Sequence, residues 1–168
     1  NKIYDIILIY GDYMKEYLSN LYTGSKVSYY NYLLDLLHDE SKEFIITVNP
    51  ETIMTAYKND TIASILQDKS NSLVPDGIAV VKKAKQLGIA VKERITGVDI
   101  SEYLLQKGND LYKSIFLYGA KEEVVSDLVK VINKKYPNLD VLGYSNGYIE
   151  DKDQVFEIIK NLKPDICL

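Results

Sequence analysis

Thr47-Val48-Asn49-Pro50-Glu51 and Leu73-Val74-Pro75-Asp76-Gly77 bracket the stretch whose reading decides the fold. Residues 44–48 form a continuous apolar run, suited to a strand covered on both faces in a parallel sheet. Asn49 is placed to cap a helix and Pro50 to occupy its first turn, so a helix should run to about Lys58. Asp60 is the expected cap of a second helix over 61–67, and Leu73-Val74 then reads as a short strand ended by Pro75. Strand, helix, strand puts the two polar turns at the same end of neighbouring parallel strands. That is the end where open α/β folds bind their ligands.

The alternation continues on both sides. Residues 3–10 read as a strand broken by Gly11-Asp12, 13–22 as weakly helical, and 27–38 as a helix with apolar Tyr29, Tyr32, Leu33, Leu36 and Leu37 at helical spacing. Residues 77–87 predict a helix stopped by Gly88, 92–99 an irregular segment, and 100–107 a further helix. A strand at 114–118, an amphipathic helix at 122–135, a strand at 141–142, a helix at 151–162 and a strand from 165 complete the chain. Strands alternating with helices of this length give an α/β fold with a mainly parallel sheet and helices on both faces. With 168 residues and no linker or repeat, a single domain is expected. The chain stops at a strand end, where the architecture would place another ligand-facing loop, and it opens on Asn1; it reads as cut short on its functional side.

Composition narrows the partners. A net charge of −4 argues against binding nucleic acid through phosphate neutralisation, and gives no basic face for anionic lipid. One cysteine excludes an internal disulfide, and one histidine with one cysteine cannot build a His/Cys metal site. No run reaches the roughly 18 to 20 apolar residues of a membrane span. Fifteen tyrosines without a tryptophan suit either a stacking surface or a plain compositional bias; their even spread favours the bias.

Several motifs carry two readings. Asp76 sits between Pro75, which fixes the approach, and Gly77, which leaves room for a substrate beside the carboxylate; a bare Asp-Gly turn is the alternative. Thr47 and Asn49 on the neighbouring strand end favour a site. So does Arg94 near Gly97 and Asp99, because an unpaired arginine in an irregular segment suits a diphosphate. Gly119-Ala120, between a strand and a helix, is either a phosphate-binding turn or a simple βα turn, and the G-x-G-x-x-G fingerprint is absent. Asp151-Lys152-Asp153 matches a D-x-D cation motif but opens a helix, where capping is the stronger reading. His38 is expected on the surface and Cys167 in the core.

Five blocks occur in one register: T-V-N-P-E at 47–51, V-P-D-G at 74–77, E-R-I-T-G-V-D at 93–99, F-L-Y-G-A at 116–120 and G-Y-S-N-G-Y at 143–148. Over 26–168 the chain resembles the WecG/TagA/CpsF glycosyltransferases. The resemblance implies a Rossmann-like fold and inverting transfer of an N-acetylmannosamine-type sugar from UDP to N-acetylglucosamine on undecaprenyl diphosphate. It further implies no essential metal or other cofactor, and peripheral attachment at the cytoplasmic face of the membrane. Asp76 is the implied base, with Thr47 beside it as a catalytic residue. Arg94 is implied to act on the diphosphate, and Asn49, Gly77, Gly97, Asp99, Gly119, Ala120 and Tyr148 to bind substrate. Residues 1–25 do not resemble the usual family start. A later G-x-P-x-Q-E loop and a basic C-terminal appendage, associated with membrane contact, are not in this chain, so weak UDP-sugar binding and slow turnover are expected of it. The alternative reading is a non-catalytic sugar-nucleotide-binding or assembly subunit of the same fold. Apolar helix faces leave room for a homo-oligomer.

Overall fold

The computed structural model describes residues 11–39 and 41–168. The strand expected over 3–10 lies outside them. Among the described residues the fold is mixed α/β and Rossmann-like in class, with every strand pairing parallel. The strands form two sheets, and the chain divides into two compact units, the second comprising 37–40 and 101–168.

The first unit contains α1 (Gly11–Leu18), α2 (Lys26–Asp39, apart from its last three residues), β1 (Ile45–Val48), α3 (Pro50–Lys58), α4 (Asp60–Gln67), β2 (Ser72–Pro75) and α5 (Ile78–Gln86). β1 and β2 pair from Ile45 opposite Ser72 to Val48 opposite Pro75. The other edge of β2 is met by single residues: Leu21 bridges Leu73, and the Ile95 N–H donates to the Pro75 carbonyl at 3.0 Å. Among the described residues this sheet is extended by short contacts without a third strand. Leu18, Leu21, Val48, Leu66, Leu73 and Val80 form its buried core, each leucine contributing about 1.5–3 kcal/mol by leaving water. Tyr29 ties α2 to β2: its hydroxyl lies 2.8 Å from Ser72 Oγ and its ring packs 4.8 Å from that of Tyr22. Burial pushes the Tyr29 hydroxyl up to about 12, so it stays protonated.

Helix ends correct the sequence reading in three places. The cap of α4 is Asn59, not Asp60: Asn59 Oδ1 accepts from Thr61 N at 3.0 Å and Ile62 N at 3.2 Å. Asn59 keeps an extended backbone, while Asp60 is already helical. The helix expected over 13–22 begins at Gly11, the point read as the end of the preceding strand, and stops at Leu18. The segment expected to be irregular to Asp99 instead turns helical at Gly97, giving α6 (Gly97–Asp110).

The second unit contains β3 (Ser114–Tyr118), α7 (Glu122–Lys135), β4 (Asp140–Ser145), α8 (Lys152–Leu162) and β5 (Ile166–Cys167), with strand order β4-β3-β5. The chain leaves β3 through α7 to β4, then crosses through α8 to the opposite side of β3. Such a reversal opens a crevice beyond the carboxyl end of the central strand. The register shifts between Ile115 and Phe116, and Gly143 faces the Phe116 ring, where an added Cβ would lie 3.0 Å from Cε2. Asp151 caps α8 by accepting from Gln154 N at 3.0 Å, and His38 is exposed in the last turn of α2, both as the sequence suggests. Cys167 is exposed and not a core residue: β5 turns Ile166 inward, and alternation turns its neighbour out.

Replacing Asn59 by Ala should lower stability by about 1 kcal/mol in urea unfolding, whereas Asp60→Ala should cost only a few tenths. Equal losses would contradict the assignment of the cap.

Candidate active site

Two backbone contacts fix where Asp76 stands. Its N–H donates to the Val48 carbonyl at 2.9 Å, extending the β1–β2 ladder by one residue, and fully buried Ile95 is held against Pro75 just before it. The carboxylate therefore leaves the sheet at the carboxyl end of both strands, between Pro75 and the segment leading into α6.

Both of its oxygens are engaged. Oδ1 accepts from Arg94 Nε at 3.3 Å and from its Nη2 at 3.1 Å, while Oδ2 accepts from the Gly97 N–H at 3.1 Å. Gly97 is the first residue of α6, so its N–H is one of the donors a helix leaves without an internal partner. The positive end of the helix dipole and the guanidinium thus converge on one carboxylate. The Asp76 side chain is 19% exposed and that of Arg94 47%, so the acid is recessed and the guanidinium reaches outward. Arg94 is not the unpaired arginine expected from its irregular surroundings. Two of its five N–H donors are spent on Asp76, and the rest remain available to an anion.

Thr47, Asn49, Gly77 and Gly97 close the cluster. A Cβ on Gly97 would lie 3.2 Å from Thr47 Cγ2 and 3.8 Å from Asp76 Oδ2, and one on Gly77 would lie 3.4 Å from Pro50 Cδ and 3.9 Å from Asn49 Cα. The approach at Gly97 is tighter than a Cβ ordinarily makes, whereas the distances at Gly77 are those of ordinary van der Waals contact. Asn49 is locked in a capping box: Oδ1 accepts from Thr52 N at 2.9 Å, and its own N–H donates to Thr52 Oγ1 at 3.4 Å. Thr52 Oγ1 also shares its proton between Asn49 Oδ1 and the Thr47 carbonyl, at 3.1 and 3.3 Å. A shallow cavity of about 300 Å³ between α3 and α4 touches the cluster only through Asn49.

Asp99 is turned to another task. It forms a 2.7 Å ion pair with Lys26, and its backbone N–H donates to Thr96 Oγ1 at 3.0 Å, which caps α6. Hydrogen bonds from Lys26 and then from Thr96 hold its carboxyl below the usual range. With Glu93 accepting from the Lys26 N–H at 2.7 Å, this pair fastens the start of α2 to the segment that carries Arg94. Thr96, not singled out from the sequence, therefore positions the helix end that holds Asp76. The signal was present as the capping pattern T-x-x-D at 96–99.

Gly119, Ala120 and Tyr148 belong to the second unit and form a separate group. Gly119 and Ala120 have φ of 131° and 58°, unfavourable for an alanine and a mark of a constrained turn. Gly147, another residue the sequence did not single out, packs on this turn: a Cβ there would lie 3.2 Å from Gly119 Cα, and its N–H donates to the Ala120 carbonyl at 2.9 Å. Asn146 bridges to Glu122 at 3.0 Å and accepts from the Tyr148 N–H, leaving the Tyr148 side chain outermost. The turn lies at the strand-order reversal. Glu122 and Glu123 already supply negative charge in the first turn of α7.

Comparison with known proteins adds an independent finding. The profile described as "Glycosyl transferase WecG/TagA/CpsF family" matches residues 19–168, starting ahead of Lys26. The chain is 39% identical over 122 residues to an N-acetylglucosaminyldiphosphoundecaprenol N-acetyl-beta-D-mannosaminyltransferase of Bacillus subtilis, covering 73% of this chain and 47% of that protein. Proteins of the same name from Bacillus spizizenii and Staphylococcus aureus are 32% identical over 140 residues and 31% over 123. Those matches cover 83% and 73% of this chain, and 54% and 48% of the relatives. The chain thus spans about half the length of the curated relatives it matches.

Asp99→Asn should lower stability at neutral pH. Because the folded carboxyl lies below its ordinary value of 3.8, the contribution is fully present above that value and lost as the pH falls through the folded one. The difference between parent and variant in urea unfolding should therefore close at acid pH. A difference that persists there would contradict the ion-pair role.

Proposed function

This chain belongs to the glycosyl transferase WecG/TagA/CpsF family, and from that premise we propose that it carries the base of an inverting glycosyltransferase. The donor is a UDP-linked N-acetylmannosamine-type sugar, and the acceptor is N-acetylglucosamine on a lipid diphosphate. The relatives' names supply the sugar and the acceptor class. The observation that carries the reading is the Asp76 carboxylate, recessed at the carboxyl ends of two parallel strands and held by Arg94 and the Gly97 N–H.

Inverting transfer needs one base to accept the acceptor hydroxyl proton as the anomeric carbon is attacked from the face opposite the leaving UDP. A carboxylate has about four lone-pair directions, so Asp76 keeps acceptor capacity beyond its present bonds. Arg94, with outward donors, binds the diphosphate and links it to the base, and Thr47 and Asn49 line the same turn. Developing charge on UDP is met by arginine and backbone N–H groups, donors worth about 3–4 kcal/mol each when preorganised. No resident metal is assigned. Gly119, Ala120 and Tyr148 are kept as substrate-binding residues of the second unit, supported by the strand-order reversal beside them.

Among the described residues no helix is long and apolar enough to cross a membrane. A lipid-linked acceptor nevertheless requires work at a membrane surface, and the proposal places the protein peripherally at its cytoplasmic face.

The test is acceptor-dependent UDP release from UDP-N-acetylmannosamine with a lipid-diphosphate-linked N-acetylglucosamine. Asp76→Asn should lower kcat by about 100-fold or more while leaving UDP affinity near that of the parent. Parent-level kcat in the variant would remove Asp76 from the role of base. Saturating chelator should leave the parent rate unchanged; loss of turnover that added divalent cation restores would overturn metal independence.

A further inference from the structure

Among the described residues, one face of α7 has no cover within its own unit. Val125 and Ile132 turn into the core, while Val124, Leu128 and Val131 are 52%, 42% and 56% exposed. Their spacing of four and three residues aligns them in one stripe along the helix. Along a single flank of that stripe run Glu123, Asp127, Lys130 and Lys134, acidic in the first half and basic in the second. The opposite flank is the one that carries Val125 and Ile132 inward.

This pattern is self-complementary in one arrangement. When two copies of α7 pack antiparallel with Leu128 opposite Leu128, Val124 meets Val131 of the other copy, and the charged flank of each helix meets the same flank reversed. Glu123 then faces Lys134, and Asp127 faces Lys130, each pair occurring twice. A parallel pairing would set each charged flank against the buried one and satisfy none of these charges. Asp127 and Lys130 already pair within one helix at 2.8 Å, so the two copies close a ring of four charges at the centre.

We propose that this stripe is a two-fold self-association surface, occupied by α7 of a second copy of this chain. The interface is isologous. A single helix stripe is small against standard interfaces, so the dimer is weak and concentration-dependent. The inference is independent of the catalytic reading.

Sedimentation velocity on the 168-residue chain should show a monomer–dimer equilibrium that Leu128→Glu weakens by about tenfold or more. A charge exchange guards against variants that merely fold badly. Glu123→Lys with Asp127→Lys makes an all-basic flank, and Lys130→Glu with Lys134→Glu an all-acidic one. Each double variant alone should be monomeric, and an equimolar mixture should form the heterodimer. A parent monomeric at every concentration, a dimer indifferent to Leu128→Glu, or double variants that fail to recombine would overturn the proposal. So would binding of the stripe to anionic phospholipid vesicles while the chain stays monomeric, since that gives the face to lipid.

Discussion

Asp76 is clamped from three directions, and the rest of the candidate site follows from that clamp. Its N–H continues the β1–β2 ladder, Oδ2 takes the first N–H of α6, and Oδ1 takes the Arg94 guanidinium. Each bond is directional, one from the end of β1 and two from the stretch that enters α6, so the carboxylate has little freedom to rotate away. The arrangement also explains the local sequence. Pro75 ends the strand, Gly97 lets its turn approach Thr47, and Ile95 sinks into the core so that Arg94 stands at the rim.

For the proposed function, a recessed acid with an outward arginine suits a reaction between two diphosphate-bearing substrates. The guanidinium bonds the Asp76 carboxylate and keeps donors outward, which in the proposed reaction couples the arrival of a phosphate to the place where a proton is taken. Preorganisation of this kind lies in the folded backbone and needs little rearrangement at the moment of reaction. Lys26, Asp99 and Thr96 act one step further out, fixing the start of α6 and through it the N–H on Asp76.

Periodic features were legible in the sequence. The helix over 122–135 matches α7 at both ends because its amphipathic repeat is strong and Gly119-Ala120 marks its start. The β1–α3 junction was legible for a chemical reason, since Asn-Pro after an apolar run leaves few alternatives to a capped helix. Where two adjacent residues could do the same work, as with Asn59 and Asp60, the choice depended on backbone angles that sequence does not display. The start of α6 was hidden because Gly97 is a poor helix former, although T-x-x-D already encoded a cap. The partner of Arg94 was illegible for a different reason: pairing with a residue eighteen positions away is a tertiary fact. Gly147 likewise acquires its meaning only when β4 returns beside Gly119.

The most direct test of the central claim is a crystal structure of this chain with UDP bound. The account predicts the diphosphate within hydrogen-bond distance of the Arg94 guanidinium, with Asp76 lining the same cleft and open toward the position of the transferred sugar. A nucleotide bound elsewhere, with Asp76 facing away from it and still enclosed by Arg94 and Gly97, would contradict it.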